Sequence, residues 1–314
     1  MSVLKVVDYS WLSVSGFGTH IKSTQKHLIV QKKNSAEYYP LNTIKNLLVV
    51  GGHTINSMTI IQLVRNGTCI TFFDPNGTPI GTIKPFYTGD REAIFESQQT
   101  IPRQRYAIAI AQASIKSRLF TIERNQESQN VNLFYEGELE FLWNSQEELE
   151  YLIKLDEIRR MHRLTSDMYY EIMSRNLPVD LGFRRRTTRP HTDPINAMLS
   201  FGYAMLYGNC YVAVIGAGLN PDLGLMHEGN GSLVYDLIEP LKAEMVDSTI
   251  FQLARESLVL SDFELTQDRC IISDNVITTM IKLFYTSIVI EKINEQVYNF
   301  YNSLKNNTDF KILY

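Results

Sequence analysis

His227, Asp236 and Glu239 lie close together in the chain and are the residues best suited to chemistry. Asp236 and Glu239 are three apart in a segment that reads as a helix, so they project from one face. Ser232 can cap that helix. One imidazole with carboxylates suits Mg2+ or Mn2+ held for phosphodiester chemistry. Such an ion polarises a phosphoryl oxygen and stabilises charge on the attacking and leaving oxygens. The same spacing also suits a plain capped surface helix beside a solvated histidine, so spacing alone leaves both readings open. Two arginine concentrations accompany the acids: Arg184, Arg185, Arg186 and Arg189, and Arg159, Arg160 and Arg163. Arg103 and Arg105 precede a further helix. Phosphate contacts are made by local patches, so these arginines can outweigh a net charge of −4 and a pI near 5.9. A solvated charged face is the competing reading.

Other mechanisms have no support. There is no GxxxxGK[ST] nucleotide loop. The run from Gly216 through Gly218 starts like a dinucleotide fingerprint, but Pro221 stands where its third glycine belongs. No GxSxG elbow or reactive cysteine context occurs.

The elements that must position these residues divide the 314-residue chain in two. Residues 1–85 read as a small β-rich domain. Short β-branched runs at 4–7, 27–31 and 45–50 are followed by a helix with Ile55, Met58, Ile61 and Val64 on its apolar face. That helix stops at Asn66-Gly67, a buried strand covers 69–73, and a turn at 74–77 returns the chain through 78–84. Residues 88–91 read as a linker. Residues 86–314 read as a larger all-α domain, with helices over 107–122, 144–175 (broken once) and 196–215, one from Ser232 toward Arg255 bent at Pro240, and two after Asn275. Asp193-Pro194 supplies an N-cap and a first-turn proline. The fold class is therefore α+β. A composition of 44% hydrophobic and 20% charged residues fits a soluble globular protein. No signal-peptide pattern or bilayer-length apolar run stands out. The three separated cysteines read as buried free thiols, which points to a cytoplasmic location and no membrane.

Three motifs carry a resemblance. The first is the arginine-rich run 184–189 followed by Asp193, Pro194, Asn196, Ala197, Leu199, Ser200, Gly202 and Tyr203, a DPxNAxLSxGY pattern. The second runs from Gly218 to His227 as GLxPxxGxxH, and the third from Ser232 to Glu239 as SLxxDxxE. Gly51-Gly52-His53 and Phe72-Phe73-Asp74-Pro75 fit the first part of the chain. In order and spacing the sequence resembles the CRISPR-associated DNA integrase family, the spacer-acquisition endonucleases. The resemblance implies a metal-dependent endonuclease/integrase that joins captured DNA fragments to a CRISPR repeat by phosphoryl transfer. It implies a homodimer joined through the β-rich domain and paired with a small ferredoxin-like CRISPR adaptation protein. It also implies a site of His227 and Glu239 on Mg2+ or Mn2+ with Asp236 in support, and DNA held by Arg184, Arg185, Arg186, Arg189, Arg103 and Arg105. The family's first metal-binding glutamate belongs in an E-G-x-x-A-x-x-Y pattern, and here His162 stands in its place and Arg163 in that of the small residue. Glu157 is the nearest upstream glutamate. The second implication is therefore a DNA-binding or scaffolding paralogue of that family with weakened catalysis.

Overall fold

The computed structural model describes residues 11–314 except 34, 76, 86–88, 188 and 267–268, with the side chains of 89–92 also left undescribed. The strand predicted at 4–7, Asn76 in the turn and Thr88 in the linker lie outside the described residues, as does Thr188.

The first part is a six-stranded sheet of β1 (Trp11–Ser23), β2 (His27–Lys32), β3 (Ser35–Pro40), β4 (Asn46–Ile55), β5 (Cys69–Phe73) and β6 (Pro79–Ile83), in the order β3-β2-β1-β4-β5-β6. β1 and β4 run parallel, as do β4 and β5, while the outer pairs are antiparallel. Parallel neighbours need a crossover, and helix α1 (Ser57–Arg65) supplies it between β4 and β5. Asn56 caps α1 by accepting the Thr59 N–H at 2.8 Å. The apolar face predicted for this helix is half right: Val64, and Ile55 at the end of β4, pack against the core, whereas Met58 and Ile61 are exposed and Leu63 and Thr59 are the buried positions. Spacing by three therefore found only part of the face turned to the core. The core joins Val14, Ile21, Leu28, Val30, Leu47, Val49, Leu63 and Ile70. Gly51 is required by a close approach, because a Cβ there would lie 2.3 Å from the Gly16 carbonyl oxygen on β1.

By contacts, one unit takes in this sheet, α2 (Gly89–Thr100) as far as Ile101, and the segments Gly208–Leu223 and Val297–Asp309. The sheet itself ends at Ile83. The other unit comprises Pro102–Tyr207, Gly224–Gln296 and Phe310–Tyr314. Its central helix is α3 (Arg103–Gln129), longer than the predicted 107–122. Then come α4 (Glu138–Glu148), α5 (Leu155–Ser174) and α6 (Pro194–Gly216), whose last residues fall in the first unit. The break predicted within 144–175 falls between Glu148 and Leu155. A short α7 (Ser232–Ile238) runs through a 3-10 turn at Glu239–Leu241, where Pro240 sits, and a π turn at Ala243–Asp247 into α8 (Ser248–Glu256). Gly231 occupies the cap position of α7, so Ser232 is its first helical residue rather than its cap. The helical unit also contains a two-stranded ladder, β7 (Phe263–Leu265) with β8 (Cys270–Ile272), that hydrophobic patterning did not reveal. The helices α9 (Asp274–Ser287) and α10 (Ile290–Asn306) follow.

Cys69, Cys210 and Cys270 are buried free thiols. Among the described residues, only α6 is long and apolar enough to cross a membrane. Three of its polar side chains are tied within the protein, Asn196 and Ser200 to Arg186 and Tyr203 to Asp247.

Candidate active site

The histidine and carboxylates of the second and third motifs, and the whole of the first, lie in the helical unit. Asp236 on α7 is fully buried and collects one loop. Its Oδ2 accepts the N–H groups of Leu225 at 2.5 Å and Met226 at 3.0 Å, and its Oδ1 accepts that of His227 at 3.0 Å. The His227 ring faces the same Oδ1 through Nδ1 at 2.6 Å. A carboxylate there favours the proton on Nδ1, which leaves Nε2 for other partners. Gly224 is obligatory in this loop, since a Cβ would lie 2.5 Å from the His227 carbonyl oxygen and 2.6 Å from Ser232 Oγ. Burial works against a charged His227, but the Asp236 hydrogen bond and charge outweigh it and raise its pKa.

Glu239, one helical turn after Asp236, meets a different environment. Its Oε2 lies 3.3 Å from His162 Nε2 on α5 and 3.3 Å from Arg118 Nη2 on α3. Its Oε1 is paired with Lys242. Ser114 Oγ donates to the Glu239 carbonyl at 3.2 Å and lies 3.4 Å from His162 Nε2. Because that hydroxyl proton is committed, an Nε2–H on His162 has two acceptors, Ser114 Oγ and Glu239 Oε2. Burial lowers the His162 pKa and prevails over Glu239. For Glu239 burial acts upward, but Lys242, His162 and Arg118 hold its carboxyl well below the usual range. Lys242 also sits 5.1 Å above the Tyr203 ring, whose hydroxyl donates to Asp247 Oδ1 at 2.5 Å. Burial pushes Asp247 up to about 6.

His162 and His227 line one cavity of about 500 Å³, together with Met226 and the α5 residues Arg159, Arg160 and Arg163. The structure thus brings His162, Glu239, His227 and Asp236 into one unit. Glu157 is not among them. It is exposed, and its Oε2 accepts the Lys154 N–H at 3.2 Å, which caps α5.

The arginines divide into fasteners and exposed cations. Arg186 donates to Asn196 Oδ1 at 2.6 Å and to Ser200 Oγ at 2.5 Å, so it serves the loop rather than a strand of DNA. Asn196 completes the lock, accepting the Thr187 N–H and donating to the Arg185 carbonyl and to Asp193. Asp193 Oδ1 caps α6 through the Asn196 N–H at 2.7 Å. Asp193, Asn196 and Ser200, read from the sequence only as a signature, are therefore the bolts of the arginine loop. Arg184, Arg185 and Arg189 are exposed on it. Arg103 is also structural, reaching the His227 carbonyl at 3.3 Å and Glu228 at 3.5 Å, while Arg105 is exposed. Arg159 clamps the same loop through the Met226 carbonyl at 2.6 Å and Glu228 at 2.7 Å.

Sequence reasoning missed Arg118, Lys242 and Ser114. Lys242 carried a signal, since it lies one turn beyond Glu239. Arg118 and Ser114 carried none, because only tertiary packing brings α3 to Glu239. These neighbours decide how well a metal fits. Both Glu239 oxygens already face cations, and His162 points a ring nitrogen at one of them. Among the described residues, no three His, Cys, Asp or Glu side chains form a metal cage. The donor types available, two imidazoles and one carboxylate, are poor for Mg2+ and acceptable to Mn2+. As arranged, the residues do not fit a resident Mg2+.

The model of the family described as CRISPR associated protein Cas1 matches residues 12–286. The chain is 39% identical to a putative CRISPR-associated endonuclease Cas1 2 of Methanospirillum hungatei, covering 96% of this chain and 99% of that protein. A casposase bound to integration product superposes with a TM-score of 0.79 at 17% identity, covering 99% of this chain and 98% of that one. A partial Cas6-RT-Cas1–Cas2 complex contains a chain that superposes at 0.75 and 20% identity, covering 98% and 99%. The motifs, the fold and the match over most of its length establish that this chain belongs to the Cas1 family of CRISPR-associated endonucleases and integrases.

Proposed function

We propose that the chain joins captured DNA fragments to a CRISPR repeat by phosphoryl transfer, and cleaves DNA as the related reaction, at the cluster of His162, His227, Asp236 and Glu239. The observation that carries this reading is convergence. Residues 162, 227 and 239 come from three separate segments, yet His162 meets Glu239 at 3.3 Å and shares a cavity with His227. Asp236 fixes the His227 ring, so its Nε2 is oriented to take a proton from an attacking 3′-hydroxyl. Arg184, Arg185 and Arg189 hold backbone phosphates, with binding that weakens as salt rises. A divalent ion bound here would supply Lewis-acid stabilisation of the phosphoryl oxygens, and the donor types favour Mn2+ over Mg2+. Glu239 yields to such an ion only by releasing a cation.

That condition supports a second reading, a DNA-binding paralogue with weakened catalysis. Full occupation of the Glu239 oxygens by Lys242, Arg118 and His162 is the observation in its favour. A homodimer through the β-rich residues 1–85 belongs to the same proposal. The edge strand β6 exposes all five of its residues, and an edge strand of that kind needs cover. A small ferredoxin-like CRISPR partner and a cytoplasmic site of action complete it.

The test is a DNA joining and cleavage assay in Mn2+ and in Mg2+. His227→Ala, which removes a half-exposed ring, is expected to abolish both reactions while the protein stays folded. Full activity of that variant would remove the cluster from the mechanism. An inactive wild type that still binds DNA would select the second reading.

A further inference from the structure

The ionic cluster around Glu239 is lopsided. Two cations and two carboxylates interact in this part of the helical unit, Arg118 and Lys242 with Glu239 and Asp247. Both cations sit on Glu239. Asp247 is 1% exposed, and among the described residues it makes no ion pair. Its Oδ1 accepts the Tyr203 hydroxyl at 2.5 Å, but its Oδ2 is buried without a hydrogen-bond partner. Tyr169 lies beside it and favours its ionised form, yet the Tyr169 hydroxyl also lacks a partner of good geometry. A buried carboxylate oxygen left unsatisfied costs stability, and nothing in the reading above uses it.

The backbone places this vacant acceptor within reach of Lys242. That residue stands between the 3-10 turn at Glu239–Leu241 and the π turn at Ala243–Asp247. Glu239 lies three residues before it, the step of the first turn, and Asp247 lies five residues after it, the step of the second. Two turns of unlike pitch thus bring both carboxylates to one lysine. The Lys242 ammonium is paired with Glu239 Oε1 and lies 5.1 Å from the centre of the Tyr203 ring, whose hydroxyl rests on Asp247. An aromatic face attracts a cation, and the four-carbon lysine stem is flexible. The ammonium can therefore turn from one carboxylate to the other along that ring.

We propose that Asp247 is a positioning residue, the alternative acceptor to which Lys242 passes from Glu239, baring Glu239 Oε1 while Arg118 stays on Oε2. The proposal rests on the DNA-joining reading for its purpose only. The exchange itself is a property of the chain without DNA.

The experiment is urea denaturation of the full chain in EDTA at about pH 8, above the value of about 6 for Asp247. All variants carry Arg118→Met, which removes the competing cation and the charge that Glu239→Gln would strand. With Glu239 present, Asp247→Asn is expected to leave the urea midpoint unchanged or to raise it, since the amide still accepts the Tyr203 hydroxyl. With Glu239→Gln, Lys242 has moved to Asp247, so Asp247→Asn should lower the midpoint by roughly 1 M. Adding Lys242→Met should abolish that loss. Equal shifts in both backgrounds mark a merely structural Asp247 and overturn the proposal, as does a reversal that survives Lys242→Met. In the otherwise native chain, Asp247→Asn should slow DNA joining with DNA affinity unchanged, and Asp247→Glu should restore part of the rate. Full joining by Asp247→Asn also overturns the proposal. A native chain that joins no DNA but shows the reversal would leave the exchange standing and remove the catalytic reading alone.

Discussion

Two imidazole–carboxylate pairs sit one helical turn apart, and they behave in opposite ways. In the His227–Asp236 pair the carboxylate is buried, but everything it accepts is a neutral backbone N–H or the one ring. Its charge therefore reaches the imidazole, whose pKa rises. In the His162–Glu239 pair the carboxylate is shared with two permanent cations, and the imidazole gains too little to offset its burial. The chemical pair does not determine protonation; the burial of the imidazole comes first, and the cations around its carboxylate add to it. The same difference separates a half-exposed ring free to work from a buried neutral ring that hydrogen-bonds into a closed ionic cluster.

Stability measurements give the largest contrast. Glu239→Gln strands Arg118 in a buried site and should cost about 3–5 kcal/mol. Adding Arg118→Met should recover a good part of that loss, because the stranded charge is gone. Asp236→Ala should cost about 3 kcal/mol through the loss of an acceptor for three backbone N–H groups, and Arg118→Met should recover none of it. Urea denaturation of the single and double variants checks this. Recovery in both cycles, or in neither, would break the comparison.

The pH dependence is the next test. His162 is held below its ordinary 6.5, so the unfolded chain protonates first. Its stabilising contribution is complete above pH 6.5 and is lost as the pH falls below that value. His227 is held above 6.5, so its contribution is complete below pH 6.5 and is lost as the pH rises through the raised folded value. His162→Gln should flatten the acid limb of the stability profile and His227→Gln the alkaline limb. Exchange of the two limbs would contradict the assigned environments.

The smallest effect concerns Glu157. As an N-terminal cap of α5 it should cost about 0.5–1 kcal/mol on replacement by alanine, with DNA joining unchanged. Loss of joining would show that Glu157, and not His162, completes the cluster.

The sequence disclosed the order of the parts better than their inner faces. The strands and helix of residues 46–83 were readable because short apolar runs end in Asn66-Gly67 and in the Asp74 turn, where local chemistry decides. β1 was missed because Gly16 and Gly18 interrupt its alternation, and β3 because its six residues, SAEYYP, carry no β-branched run. In the site, motif order located His227, Asp236 and Glu239, and the structure brings His162 to them. The motif could not say which arginines act as fasteners. That depends on Asn196 and Glu228, whose partners are set by folding rather than by neighbours in the chain. Arg118 lay beyond any local rule, and it is the residue that most changes the character of Glu239.

The most direct test of this account is DNA joining by the wild type and by His162→Glu, each in Mg2+ and in Mn2+. A second carboxylate would balance both Arg118 and Lys242 and leave oxygen donors for a hard cation. The account predicts a wild type that works better in Mn2+ and a His162→Glu variant that gains activity, most of all in Mg2+. A wild type equally active in both ions, with no gain in the variant, would contradict it.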